Sequence, residues 1–133
     1  AFADQLVVTL EASPEHPLAA PEAPRKFGVY VLYRNQKPVY VGQAIGVGGV
    51  AGRLRDHLKK IEQRSGISAD DMTCRYLLIR QQWEVSRAET ALITKYGPTW
   101  NGIPGFSMHV PGKGRPGMPN YTNEWDKQFP RLS

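Results

Sequence analysis

Gly28-Val29-Tyr30-Val31-Leu32-Tyr33-Arg34-Asn35-Gln36-Lys37-Pro38-Val39-Tyr40-Val41-Gly42 is the stretch that decides how this chain folds. Two short runs rich in Val, Leu and Tyr flank a polar segment, Arg34 to Pro38. That pattern predicts a β-hairpin with a loop of a few residues. A buried hairpin needs apolar side chains, but it does not need to open on Gly-Val-Tyr and close on Tyr-Val-Gly. Tyr30 and Tyr40 therefore call for a reason beyond packing.

C-terminal to the hairpin, Gly46, Gly48 and Gly49 permit tight turns or a close backbone approach to a ligand. No Gly-Lys-Ser/Thr follows, so this is not a phosphate-binding Walker loop. Residues 50–64 read as a helix, with Val50, Leu54, Leu58 and Ile61 in one apolar stripe. Arg53, His57, Lys60 and Arg64 line up beside it at the same spacing. Like charges one turn apart cost a few tenths of a kcal/mol, so the row asks for a bound anion or for plain solvation.

Thr73–Arg80 reads as a third strand, and residues 84–96 as a second helix with Val85, Ala88, Leu92 and Tyr96 facing the core. Glu89 falls at the edge of that stripe. A carboxylate there is costly unless it is paired with a cation such as Arg53 or Arg87, protonated, or bound to a metal.

N-terminal to the hairpin, residues 2–12 read as a short amphipathic helix. Residues 13–26, with Pro14, Pro17, Pro21 and Pro24, read as an extended linker. Beyond the second helix, Gly97 to Pro119 is dense in Gly and Pro, with Trp100, Phe106 and Met108 as apolar pins. Its basic run, Met108 to Arg115, suits phosphate or base contact. Trp125 and Phe129 are expected to anchor a closing segment.

The chain has 133 residues, enough for one domain with a modest core. The expected division is an N-terminal arm (1–25), a core (26–101) and a loop with C-terminal extension (102–133). A formal charge of +5 favours a polyanionic partner, nucleic acid before a membrane surface. The single cysteine, Cys74, excludes an intrachain disulfide framework and a cysteine-rich zinc site, and its neighbours mark it as a core residue. No run approaches the ~18 apolar residues of a membrane span, so a cytoplasmic location is expected.

Taken together, Gly28-Val29-Tyr30, Tyr40-Val41-Gly42, Arg53 and His57 on one helix, Glu89 on the next, and Asn101 resemble the signature of the GIY-YIG nucleases. The resemblance implies a small α/β (α+β) core, a three-stranded antiparallel sheet flanked by helices in the order β-β-α-β-α. Here that core carries an N-terminal helix and linker and a long C-terminal extension. The chain is most similar to type II restriction endonucleases that cut GC-rich palindromes as homodimers. That likeness rests on Arg53-Leu54-Arg55-Asp56-His57, Ile61-Glu62-Gln63, Cys74-Arg75-Tyr76-Leu77, Leu92-Ile93 through Trp100-Asn101, Pro111 through Arg115, and Trp125-Asp126. Gln43 stands where many family members carry Lys, a departure from the family pattern.

The resemblance also implies roles. Glu89 would bind one Mg²⁺, with Mn²⁺ as a substitute. Arg53 would donate to phosphate oxygens, and Tyr30 would be the general base. At an ordinary pKa near 10 only about one phenol in a thousand is ionised at pH 7, so that role needs neighbouring positive charge. His57 would take a proton from Tyr30 or from water, or hold the phosphate as imidazolium. Tyr40 would orient the water or a phosphate, and Asn101 would fix the loop or the Tyr30 hydroxyl. Arg55, Lys60, His109, Lys113 and Arg115 are the expected contacts to double-stranded DNA. Two other uses remain open: a nuclease domain of a toxin or mobile-element enzyme, and a non-catalytic DNA-binding module.

Overall fold

A computed structural model describes residues 1–106 and 123–132. The hairpin forms from β2 (Gly28–Arg34) and β3 (Lys37–Ala44). Its loop is tighter than the polar segment suggested. Arg34 pairs with Lys37, leaving Asn35 and Gln36 as a two-residue turn, both with positive φ (49° and 70°). A turn of that kind matches the twist of the flanking strands. Pro38 lies within β3, an edge strand, where a missing N–H is tolerated.

Among the described residues the sheet has four antiparallel strands in the order β1-β4-β2-β3, not the three expected. The extra strand is β1 (His16–Pro17), inside the proline-rich segment read as a linker. It pairs with Cys74 and Thr73 of β4 (Met72–Leu78) and ends at the buried Leu18. Glu15 adds a hydrogen bond from Thr73 and an ion pair with Arg75. His16 and Pro17 are therefore part of the sheet, and the residues beside them are tied to β4 rather than forming a free arm.

Among the described residues, three helices cover the sheet. The β-strand alternation sends Val29, Val31 and Tyr33 of β2 to one face, against α1 (Phe2–Ala12) and α3 (Gln82–Tyr96). Tyr30 and Leu32 point to the other, against α2 (Gly49–Glu62). β2 is central, and its residues from Gly28 to Tyr33 are buried. The start of α2 is seated on the chain preceding the hairpin: Val50 N donates to Lys26 O and Ala51 N to Pro24 O. Gly49 has φ +61°, and a Cβ there would strike the backbone of Arg25 and Lys26. Its close approach is thus to the protein's own backbone.

The C-terminal residues 123–132 pack onto α2 instead of extending away. Trp125 and Phe129 join the α2-side core with Trp100 and Phe106. The short α4 (Glu124–Gln128) starts on a capping box made by Asn123 and Asp126. Asp126 also pairs with Arg64, whose guanidinium donates to Phe129 O as well. The row Arg53, His57, Lys60 and Arg64 is consequently not one solvated basic face. Arg64 and His57 are buried, and Lys60 donates to the carbonyls of Gly105 (3.2 Å) and Phe106 (2.7 Å). Cys74 is fully buried, and burial pushes its thiol up to about 12, as suits a packing residue.

Candidate active site

The site grows from the hairpin register. Tyr30 lies opposite Gly42, and a Cβ at Gly42 would collide with the Tyr30 ring and hydroxyl and with the Tyr40 ring. Only glycine leaves room for the Tyr30 phenol to lie across β3. The two tyrosine rings sit 6.1 Å apart, centre to centre, on the face covered by α2.

His57 closes this pair from above. Its Nε2 is 2.7 Å from the Tyr30 hydroxyl, and its ring lies 4.8 Å from that of Tyr40. Phe106 stacks on its other side, 4.9 Å away at 22°. Burial first, then the positive charges of Arg53 and Lys60, lower the pKa of His57 to about 3. The imidazole is therefore neutral at ordinary pH. Its Nδ1 has no hydrogen-bond partner among the described residues, so nothing beyond it fixes the tautomer.

Burial also raises both tyrosine pKa values above the ordinary phenol range, that of Tyr30 well above it. The charge of Tyr40 raises Tyr30 further, a hydrogen bond with Tyr30 lowers Tyr40, and Arg53 pulls both back by charge and hydrogen bonding. Arg53 reaches them from the first turns of α2 and is itself exposed. Tyr30 and His57 are thus a neutral, hydrogen-bonded pair beneath an accessible guanidinium.

Glu89 approaches from α3, within electrostatic reach of Arg53, Tyr30 and Tyr40. It is partly buried, and desolvation raises its pKa against the pull of Arg53. It makes no hydrogen bond and no ion pair with any described residue. Arg87, one of the two partners the sequence suggested, lies over the Phe2 ring instead, 3.9 Å from its centre. The described residues contain no cluster of three or more His, Cys, Asp or Glu arranged to hold a metal.

Asn101, from the turn after α3, clamps β3. Its Oδ1 accepts from Val41 N (2.8 Å) and its Nδ2 donates to Val41 O (2.7 Å). The amide imitates one residue of a further strand and holds the edge peptide between Tyr40 and Gly42. Gln43, the residue that departs from the family pattern, accepts from Ser86 of α3.

The structure therefore brings together Tyr30, Tyr40, Arg53 and His57, sets Glu89 beside them, and places Asn101 behind the strand. Arg55 is exposed on α2, away from this cluster's interior, and Lys60 binds the 105–106 carbonyls. His109, Lys113 and Arg115 lie outside the described residues. Sequence reasoning took Phe106 only as a pin for the loop. Its stacking on His57 joins positions 49 residues apart, and no local pattern signals that contact.

Comparison with known proteins gives the family. The profile of the family described as the Eco29kI GIY-YIG domain matches residues 25–131. The chain belongs to that family, a restriction-enzyme branch of the GIY-YIG nucleases. It is also 32% identical over 93 residues to the UvrABC system protein C of Aquifex aeolicus, covering 67% of this chain and 16% of that protein. The corresponding protein of Finegoldia magna is 28% identical over 112 residues, 84% of this chain and 17% of that protein. The chain thus spans about a sixth of these relatives' length. Among solved structures, it is similar to the magnesium-bound GIY-YIG N-terminal endonuclease domain of UvrC from Thermotoga maritima. That likeness has a TM-score of 0.48 at 27% identity and covers 61% of this chain and 89% of that domain. No helix among the described residues is long and apolar enough to cross a membrane.

Proposed function

We propose that this protein is a Mg²⁺-dependent endonuclease that hydrolyses phosphodiester bonds in double-stranded DNA, leaving 5′-phosphate and 3′-hydroxyl ends. Its biological use is that of a site-specific type II restriction enzyme, with GC-rich palindromes as the expected targets. The observation that carries this reading is the Tyr30–His57 hydrogen bond beneath Arg53, beside a partly buried Glu89 that makes no hydrogen bond or salt bridge with a described residue.

Glu89 suits a Mg²⁺ ligand. Mg²⁺ takes one or two carboxylates and keeps several waters, so a lone half-buried carboxylate facing the site is a fitting donor. When bound, the ion supplies charge neutralisation at the phosphate and at the leaving 3′-oxygen; Mn²⁺ is the expected substitute. Arg53 donates to the non-bridging oxygens, and its charge does not titrate away.

Because burial keeps the Tyr30 phenol protonated, it acts as a relay and not as a standing phenolate. As water attacks phosphorus, Tyr30 accepts the water proton and passes its own to Nε2 of His57, in the tautomer with the proton on Nδ1. The incoming phosphate offsets the Arg53 and Lys60 charges that help to hold His57 neutral. After product leaves, the proton returns through Tyr30 to solvent. A buried, neutral His57 suits this acceptor role better than direct contact with phosphate as imidazolium. Tyr40 orients the water or phosphate, and Asn101 fixes the strand that carries it.

Cutting both strands with one-metal sites calls for a homodimer on DNA. Residues 1–133 act as one catalytic domain. Arg55, Lys60, His109, Lys113 and Arg115 supply duplex contacts.

The test is incubation of plasmid DNA with wild type and with Glu89→Gln, in Mg²⁺ or in chelator. Discrete fragments from wild type with metal, and a loss on the order of a thousandfold in Glu89→Gln, are expected. Indiscriminate degradation would instead favour a toxin or mobile-element nuclease. Binding without cleavage would make the chain a DNA-binding module. Equal cutting by Glu89→Gln would remove the metal-ligand role.

A further inference from the structure

At the end of the sheet where β2 begins and β4 stops lies a cavity of about 400 Å³, lined by Arg25, Lys26, Phe27, Leu78, Ile79 and Arg80. Its backbone is pinned. Ile79 N donates to Phe27 O (3.0 Å), and the 24–26 segment receives the first amides of α2. Its three cationic side chains are exposed, and none makes a hydrogen bond or ion pair with a described residue. No carboxylate is among the lining residues. The remaining lining is apolar, with Leu78 46% exposed.

Three uncompensated cations held over an apolar floor, on a rigid backbone, suit a polyanion that also carries apolar surface. A nucleic-acid backbone has both, in its phosphates and its sugar edges. The place is also right. Lys26 O accepts from Val50 N, one helical turn before Arg53. Lys26 is four residues from Tyr30, so their Cα atoms are at most about 14 Å apart. At ~3.4 Å per base pair along a duplex, a span of that length corresponds to about four base pairs.

We infer that this cavity is a second DNA-backbone site, which seats phosphates flanking the cut on Arg25, Lys26 and Arg80, with sugar edges against Phe27, Leu78 and Ile79. The inference rests on the nuclease reading and deepens it by assigning a flank of the substrate to a defined place outside the catalytic cluster.

The test measures binding of a plasmid-derived duplex by the full chain across a salt series, in the Glu89→Gln background so that no cutting occurs. The triple variant Arg25→Gln, Lys26→Gln and Arg80→Gln is compared with the charge-retaining Arg25→Lys, Lys26→Arg and Arg80→Lys. Each lost phosphate contact lowers the magnitude of the log K against log salt slope by about 0.9. The neutral variant is expected to bind at least tenfold more weakly with a slope smaller by about two to three, while the charge-retaining variant keeps the parental slope. An unchanged slope in the neutral variant, or equal losses in both variants, would overturn the site. Cleavage by wild type is scored separately: absent cutting counts against the nuclease reading, whereas the slope alone reports on the cavity.

Discussion

Toward α1 and α3 the sheet buries Val29, Val31, Tyr33 and Val41 against Val7, Leu10, Val85, Ala88 and Leu92, an almost wholly aliphatic layer. Toward α2 it buries Tyr30 and Tyr40 under His57, with Phe106, Trp100, Trp125 and Phe129 around them. The first layer is explained by removal of apolar surface from water. The second places two phenols and an imidazole where their charged forms are penalised, and satisfies them chiefly through one another and Arg53. Such an arrangement is a poor way to fill a core and a suitable way to hold a proton path. One face is packed chiefly by aliphatic side chains, and the opposite face holds the tyrosine–histidine pair, toward which Glu89 reaches from α3.

The sharpest way to break that division is to damage each face in turn. Leu10→Ala removes a fully buried side chain from the aliphatic face. It should cost about 2–5 kcal/mol in urea unfolding, while cleavage per folded molecule stays near wild type. Gly42→Ala should do the reverse in proportion. Its methyl displaces the Tyr30 phenol, so a stability loss of roughly 1–3 kcal/mol should come with a large loss of cleavage. If Leu10→Ala lost cleavage per folded molecule as severely as Gly42→Ala, the two faces would not be separable.

A smaller effect distinguishes the faces by pH. His57 binds a proton near 6.5 when unfolded and only near 3 when folded. The depressed folded value means that its contribution is fully present above about pH 6.5 and is lost as pH falls toward 3. The slope should reach about 1.4 kcal/mol per pH unit within that window. His57→Gln should flatten that part of the stability profile, measured by urea unfolding at a series of pH values, while Leu10→Ala leaves its slope in place.

The same contrast explains what could be read from the sequence. The hairpin, α2 and α3 are local periodic patterns, and the residues Tyr30, Tyr40, Arg53, His57 and Glu89 fall on them in a recognisable order. What the sequence hid depends on distant partners. His16 and Pro17 form a strand only because β4 offers an open edge, so four prolines nearby read as linker. The row from Arg53 to Arg64 has helical spacing, but spacing does not say that Asp126 and the 105–106 carbonyls will cover part of it. Asn101 was legible as a residue of interest, but its grip on both polar groups of Val41 depends on β3 being an edge strand.

The most direct measurement is plasmid cleavage by Tyr30→Phe in Mg²⁺, made beside its urea unfolding curve. Phenylalanine keeps the ring that packs between Gly42 and His57 and removes only the hydroxyl that lies 2.7 Å from Nε2. The expected result is an unfolding free energy within about 1–2 kcal/mol of wild type and a cleavage rate lower by about 10²–10⁴-fold. Cleavage at the wild-type rate by a folded Tyr30→Phe protein would contradict the assignment of the α2 face to proton transfer.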